Sequence, residues 1–100
     1  MIARHWRGLA KASQADAYLE HLRLETIPSL SALPGFVNVS VLRRDDPRGI
    51  EFLVVTHWES LESIRAFAGE NIKQAVIPEI VRGMMVECDE IVRHYEVCQS

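Results

Sequence analysis

The chain has 100 residues, 48% hydrophobic and 25% charged, a composition typical of a globular domain rather than a disordered or fibrous chain. Its formal net charge of −3, with scattered basic residues, excludes the continuous basic stripe that nucleic-acid binding requires. No apolar run reaches the length of a membrane-spanning helix, so we expect no membrane partner. Cys88 and Cys98 form no disulfide or zinc motif, which favours a reduced, cytoplasmic protein without a metal.

The first third of the chain changes from strand to helix periodicity. Residues 1 to 9 read as a first strand. Ser13 is the predicted N-cap of a helix whose apolar positions recur every three or four residues. Pro28 lacks a backbone donor and is expected to kink or divide this helix, which Gly35 ends.

The next segment predicts an antiparallel hairpin. Its first strand, residues 36 to 42, is β-branched at alternate positions, and the charged residues 43 to 49 connect it to a third strand at 50 to 58. Strict alternation in the first strand of the hairpin predicts two faces: Val37, Val39 and Val41 on one, and Phe36, Asn38, Ser40 and Leu42 on the other.

The last third predicts one helix, a short helical stretch and one strand. Ser60 is positioned to cap the helix and Gly69 to end it. A short helical or irregular stretch follows Pro78, and residues 89 to 97 read as the last strand. The order βαββαβ predicts an α+β fold of one domain over residues 1 to 100: a ferredoxin-like antiparallel sheet with helices on one face.

The third strand is apolar on both faces. Phe52, Val54 and Trp58 point one way, and Leu53 and Val55 point the other. The helices of one copy cover only one face, and a chain this short buries only about 60–65% of the surface that its unfolded form exposes. A homodimer packed sheet to sheet would cover the second face; the alternative is that the C-terminal segment shields it.

Five segments form a familiar pattern: MIARHWRG at residues 1 to 8, ALPGF at 32 to 36, FLVVTHWESLESI at 52 to 64, RAFAG at 65 to 69 and VRHYEV at 92 to 97. They resemble the antibiotic biosynthesis monooxygenase family over nearly the whole chain. The resemblance implies a dimeric α+β barrel with a ligand cavity in each protomer, between sheet and helices. It does not imply one reaction, because the family includes cofactor-independent oxygenases of phenolic polycycles and quinols, haem-degrading enzymes and proteins of unassigned activity.

The resemblance argues against the haem-degrading branch. That branch uses an Asn on the first strand, a Trp on the second helix and a His about ten residues beyond it. Here the first strand has no Asn, and the other two positions correspond to Phe67 and a position near Ile77. The imidazole that would hold the iron is therefore missing at the matching position.

An oxygenase of this kind needs a base, for which the sequence offers histidines. His5, His57 and His94 lie on predicted strands, where a neutral imidazole can accept a phenolic proton. Each is also compatible with a hydrogen-bonded core or interface role. His21, beside Glu20 and Glu25 on the first helix, is expected to be exposed.

Aromatic and amide side chains are the candidates for substrate binding, each with packing or surface exposure as the alternative. Arg4 and Arg93 are expected either to approach each other across the first and last strands or to form surface ion pairs. The candidate substrate-binding residues are Trp6, Asn38, Trp58, Phe67 and Tyr95.

The leading hypothesis is a cytoplasmic homodimer that acts as a monooxygenase on a small aromatic or quinol-type molecule, without metal, flavin or nicotinamide. Catalysis itself stays open. One alternative is a non-catalytic dimer that holds a small molecule in the same cavity, and another is an isomerase or other proton-transfer enzyme on this scaffold.

Overall fold

The computed structural model describes all 100 residues and has a five-stranded antiparallel sheet with its helices on one face. The strands follow the order β2-β3-β1-β4, and β5 also pairs with β1. The predicted α+β, ferredoxin-like architecture is therefore confirmed. The elements are β1 (Ile2–Ala10), α1 (Ala15–His21), α2 (Ile27–Ser31), β2 (Phe36–Asp46), β3 (Gly49–Trp58), α3 (Leu61–Ala68), α4 (Glu79–Met84), β4 (Met85–Cys88) and β5 (Arg93–Glu96).

The first helical region runs without interruption from a 3₁₀ turn (Ala12–Gln14) to the end of α2. No side chain caps its start, so the predicted N-cap at Ser13 is wrong, and Ser13 lies inside the first turn. A π-helical turn, Leu22–Thr26, joins α1 to α2, and the Ile27 N–H donates to the Leu22 carbonyl five residues back. This turn ends two residues before Pro28, which lies in the first turn of α2, and the helix continues past the missing backbone donor.

A β-bulge corrects the predicted faces of β2. Phe36 pairs with Trp58, whereas Asn38 pairs with His57, so the strand shifts by one residue between them. Paired residues in an antiparallel sheet point to the same side. Phe36 therefore lies on the helix side together with Val39, and its predicted place on the opposite face is wrong.

The last strand is divided, which the sequence did not predict. β4 pairs with β1 at Gly8 to Ala10, and β5 pairs with its other end, Ile2 to His5. Between them, residues 90 to 92 leave β1 and bond to residues 73 to 75, through Ala75 N–H to Glu90 O (2.8 Å) and Val92 N–H to Lys73 O (2.8 Å). The predicted single strand at 89 to 97 is therefore wrong in its first half.

Two clusters of buried side chains hold the helices to the sheet. One surrounds Phe52 and Tyr18, whose rings meet edge to face at 4.9 Å, and the other contains Leu30, Trp58 and Ile64. α3 reaches the second cluster because Ser60 caps it as predicted, in a reciprocal pair with Ser63. The space between the two clusters is not filled, and the candidate site lies there.

Gly35 offers a direct test of the turn that leads into β2. Its φ is +84°, and a Cβ at this position would lie 2.3 Å from Ser63 Cβ. We expect Gly35→Ala to lower the free energy of unfolding by about 2–4 kcal/mol, from left-handed strain and overpacking together. Urea denaturation measures this loss. Gly83→Ala is the matched control in open helical surroundings, where the same change should stabilise slightly; equal effects at both glycines would contradict the clash.

Candidate active site

A pocket of about 80 Å³ lies between the sheet and the helices. Ten of its fifteen lining residues are hydrophobic, so a ligand inside it meets mainly hydrocarbon and aromatic surface with a few polar groups, as is usual for small-molecule sites. β1 contributes Arg4 and Trp6, and β3 contributes Val54 and Thr56. The remaining lining residues are Tyr18, His21, Leu22, Thr26, Leu30, Phe67, Val76, Ile77, Pro78, Val81 and Val92.

Arg4 is the one charged group of this lining that is deeply buried, with only 4% of its surface exposed. Its Nη1 donates to the Ile72 carbonyl (2.5 Å) and contacts His94 Nε2 (2.9 Å), and its Nη2 donates to the Gln74 carbonyl (3.0 Å). No carboxylate pairs with it. The predictions of a surface ion pair and of an approach to Arg93 are therefore wrong: Arg93 pairs with His5, on the other face of the sheet.

The strand register and residues 72 to 74 together position this guanidinium. Residues 71 to 74 form a turn that the Gln74 N–H closes on the Asn71 carbonyl (3.1 Å). The Lys73 carbonyl accepts from Val92, and the Ile72 and Gln74 carbonyls are the two that accept from Arg4. The division of the last strand therefore leaves the Ile72 and Gln74 carbonyls as acceptors for Arg4.

His94 must be neutral at the atom that meets Arg4. Arginine only donates, so His94 Nε2 accepts and the ring proton lies on Nδ1. Burial, followed by the charges of Arg4 and Lys73, lowers the pKa of His94 from its ordinary value. His94 therefore acts first as a partner that holds Arg4 in place.

One wall of the pocket is a stack of aromatic rings. Phe67 stacks on Trp58 at 5.8 Å between centroids, and the Arg4 guanidinium lies 5.7 Å from the Phe67 ring centre. Trp58 itself is fully buried behind this wall and donates from Nε1 to Thr56 Oγ1 at 2.9 Å. Trp6 is fixed by a hydrogen bond from Nε1 to the Asp89 carbonyl (2.9 Å).

Two further polar groups were not predicted as site residues. Tyr18 is buried, and that burial raises the pKa of its phenol, which therefore stays neutral and can donate a hydrogen bond to a ligand. His21 is half-buried rather than exposed as predicted, and lines both the pocket and a wider outer recess beside Glu25. His21 follows Tyr18 by three residues and precedes Glu25 by four, so the three side chains share one face of the helix. The spacing alone therefore placed His21 on the pocket side.

The other predicted residues divide between the two faces of the sheet. Trp6 and Phe67 line the pocket, while Trp58 and His94 lie behind lining residues. The register puts the remaining four on the open face, which carries no helices: His5, Asn38, His57 and Tyr95. No residue of this second group lines the pocket.

The open face brings these histidines close together. His5 packs on Tyr95 with ring centroids 4.8 Å apart, and burial followed by the neighbouring His57 lowers the pKa of His5. His57 Nδ1 is buried without a hydrogen-bond partner in this chain. A buried polar atom without a partner is unusual, so this face has unsatisfied bonding capacity within the isolated chain.

Acid should weaken the fold through His94 and His5. Both have lowered pKa values when folded, so the unfolded chain binds more protons near and below pH 6.5. The contribution of the two histidines to the free energy of unfolding is therefore fully present above their pKa in the unfolded chain. It is lost as the pH falls from there through their lower pKa in the folded chain. We expect the urea midpoint to fall between about pH 7.5 and about pH 5. The variant His94→Gln, which keeps an acceptor for Arg4, should show a smaller fall; an unchanged fall would rule out a contribution from His94.

The residues of the pocket do not fit the haem site that the resemblance describes for one branch. Ile77 lines the pocket near the position at which that branch has its axial histidine, and Phe67 replaces its tryptophan. Histidine, cysteine and acidic side chains form no cluster of three or more that could hold a metal ion. No helix is long and apolar enough to cross a membrane.

The fold and the pocket define a ferredoxin-like α+β protein with an apolar pocket between sheet and helices. The model of the antibiotic biosynthesis monooxygenase family matches residues 1–77, and the chain belongs to that family. No curated protein matches the chain in sequence.

Solved structures of similar fold include proteins of different activity. A Nitrosomonas europaea protein assigned to the same family has a TM-score of 0.74 at 16% identity, over 99% of this chain and 100% of that one. The cofactor-independent oxygenase SnoaB from Streptomyces nogalater has a TM-score of 0.71 at 16% identity, over 99% and 94%. A haem-degrading protein from Mycobacterium tuberculosis has a TM-score of 0.60 at 23% identity, over 100% and 98%. At these identities the likeness concerns the fold alone.

Proposed function

We propose that the chain is a cofactor-independent monooxygenase that oxidises a small aromatic or quinol-type substrate in the pocket between sheet and helices. The observation that carries this proposal is the lining itself: an apolar, aromatic pocket that contains the Arg4 cation, a neutral Tyr18 phenol and the His21 imidazole. Family membership and the fold shared with one cofactor-independent oxygenase support it.

The reaction needs only a base, an electron-rich substrate and oxygen. The base removes a proton, and the substrate anion transfers electrons to O₂. For a methylene next to an aromatic ring, the balanced outcome is CH₂ plus O₂ giving C=O plus H₂O, with one oxygen atom in each product. A fixed cation and a neutral hydrogen-bond donor favour the substrate anion, since they stabilise its developing charge.

His21 is the base that this proposal favours, because it lines the pocket and its neighbour Glu25 lines the outer recess. His94 is less suited, because its Nε2 lone pair is occupied by Arg4, its Nδ1 carries the ring proton, and its ring lies outside the pocket lining. A role for His5 or His57 would instead require a substrate bound on the open face of the sheet.

Oxygen uptake by metal-free protein with a panel of anthrones and hydroquinones tests the proposal. We expect uptake by the wild type and a loss of about 100-fold or more in His21→Ala, the effect typical of removing a general base. His5→Ala and His57→Ala are the matched controls and should keep the activity. Uptake lost only in one of these two would move the reaction to the open face, and no uptake with any substrate would contradict the oxygenase.

A proton-transfer enzyme is the second candidate. The observation in its favour is that His21, Tyr18 and Arg4 line one pocket, a set that can move a proton and stabilise an enolate without oxygen. Exchange of a substrate proton with solvent in the absence of oxygen would distinguish this activity. A dimer that only binds its ligand would show neither exchange nor uptake.

We further propose that the protein works as a homodimer whose copies meet through the open face of the sheet. Leu42 and Tyr95 expose 52% and 47% of their surface on this face. Leu53 pairs with Leu42 on the adjacent strand and with Arg7 on the other side. An ion network borders the apolar area: Glu51 accepts from Arg7 (2.6 Å) and Arg44 (2.7 Å). An apolar centre with a charged rim is the usual composition of an interface between copies.

We also propose that residues 1 to 100 act as one domain of this family and that the protein works in the cytoplasm. The solved structures match 99–100% of the chain, beyond the residues of the family model, which supports the first point. Two free thiols, Cys88 and Cys98, support the second, because free thiols suit a reducing compartment.

A further inference from the structure

The charge of the pocket is unbalanced. Arg4 is buried, and the groups that it meets within the chain are two backbone carbonyls and a neutral imidazole, none of which carries a charge. No Asp or Glu lines the pocket; Glu25 lines only the outer recess. Buried charges in proteins are normally paired, since an unpaired one loses its hydration without replacement.

Arg4 nevertheless stays charged. Burial lowers the pKa of Arg4 to about 10, which is still far above neutral pH. Lys73 adds a second positive charge on the His94 side, where it lowers the pKa of that histidine as Arg4 does. The inner end of the pocket therefore carries net positive charge at working pH.

Two of the five N–H donors of Arg4, Nε–H and the second N–H of Nη2, make no hydrogen bond within the chain. Nη1 and Nη2 are fixed by their hydrogen bonds, whereas Nε makes none within the chain. Nε is not completely enclosed, because the only fully buried side-chain polar atom without a partner is His57 Nδ1, and Arg4 lies on the pocket lining. The Tyr18 hydroxyl has the same status: it lines the pocket and makes no hydrogen bond within the chain.

From this arrangement we infer that the pocket takes its ligand as a small planar organic anion, with the ligand oxyanion on Arg4 Nε and its ring against Phe67. The fixed cation balances the ligand charge, and the aromatic wall, 5.7 Å from the guanidinium, sets the distance between the acidic group and the ring. The inference rests on the proposed pocket and adds the chemical class of its ligand: an aromatic carboxylate or an acidic phenol in its ionised form.

Benzoate and benzamide provide the first test, since they have the same shape and differ in charge. By calorimetry with the whole chain, we expect benzoate to bind at least about tenfold more tightly than benzamide, the ratio of a charge-assisted to a neutral hydrogen bond. Equal affinity, tighter binding of benzamide or no binding of benzoate would overturn the inference. Neither probe can be oxidised as a quinol, so this result is independent of oxygen uptake, and a failure here leaves the oxygenase proposal standing.

Arginine variants provide the second test. Arg4→Met should remove the preference for benzoate, and Arg4→Lys should keep a reduced preference because the charge remains while the planar fork is lost. Arg93→Met, on the open face of a neighbouring strand, is the matched control and should bind as the wild type does. A preference retained in folded Arg4→Met would overturn the inference. If that variant does not fold, the Arg4→Lys variant and the wild-type comparison still decide it.

4-Nitrophenol gives a spectroscopic test of the acidic-phenol arm, because its phenolate and phenol absorb at different wavelengths. A pocket that favours the anion should lower the pKa of the bound probe, so that phenolate absorbance appears at a lower pH than in free solution. Arg4→Met should abolish this shift. A bound probe that titrates at or above its free pKa would exclude phenolates as ligands and contradict the inferred oxyanion site.

Discussion

The Trp58→Ala variant is expected to lose about 3–5 kcal/mol of unfolding free energy, the largest effect of any single substitution considered for the monomer fold. Trp58 is fully buried and meets two rings, Phe36 edge to face at 5.4 Å and Phe67 in a stack at 5.8 Å. Its removal leaves a cavity directly behind the pocket wall. Urea denaturation followed by circular dichroism measures the loss.

Trp58→Phe is the control that separates packing from hydrogen bonding. It keeps most of the ring contact but removes the Nε1 donor to Thr56 Oγ1, and we expect a smaller loss of about 1–2 kcal/mol. Because Phe67 stacks on Trp58, only the alanine variant should also weaken benzoate binding. A denaturation midpoint for Trp58→Ala equal to that of the wild type would show that this cluster is not a major source of stability.

The Leu53→Asp variant is expected to weaken the homodimer about 100-fold or more. Leu53 lies on the open face of β3, between Arg7 and Leu42 in the sheet register. Each interface would bury the new carboxylate twice, once per copy, and the neighbouring Arg7 already pairs with Glu51 and Glu87, so the burial costs several kcal/mol. Sedimentation equilibrium at micromolar concentration measures the change in the dissociation constant.

The matched control is Leu24→Asp, the same substitution at a helical position on the opposite side of the sheet. Leu24 exposes 64% of its surface in the π-helical turn, so the charge stays in water and the dimer should persist. A wild type that sediments as a monomer would contradict the dimer outright. A Leu53→Asp variant that dimerises normally would move the interface away from this part of the face.

The fold was predictable because its main signals are local. Alternation in β3 correctly separated Phe52 and Trp58 from Leu53, and Ser60 and Gly69 correctly bounded α3. The bulge in β2 was not predictable in this way, since one inserted residue leaves the apolar alternation intact on either side of it. The division of the last strand was also missed, because residues 90 to 92 bond to residues 73 to 75, a contact between segments that are separated in the chain.

The site was predicted only in part, and the reasons differ by residue. The sequence left Trp6 and Phe67 open between pocket wall and simple packing; both lie on the pocket lining, and their role in substrate binding stays a prediction. His57 alternates with Trp58 along β3, so its place on the open face already followed from the predicted strand faces. Arg4 had a comparable signal: it lies between Ile2 and Trp6 on the helix side of β1, where a charge needs a specific partner.

Isotopically labelled O₂ shows whether the protein inserts an oxygen atom from O₂ into its substrate. Metal-free protein is incubated with labelled O₂ and the most active substrate of the panel, and the product is analysed by mass spectrometry. We expect one labelled oxygen atom in the product carbonyl and the other in water, with labelling reduced in His21→Ala and kept in His57→Ala. A product that carries no label, or a substrate recovered unchanged after incubation with folded protein, would contradict a monooxygenase.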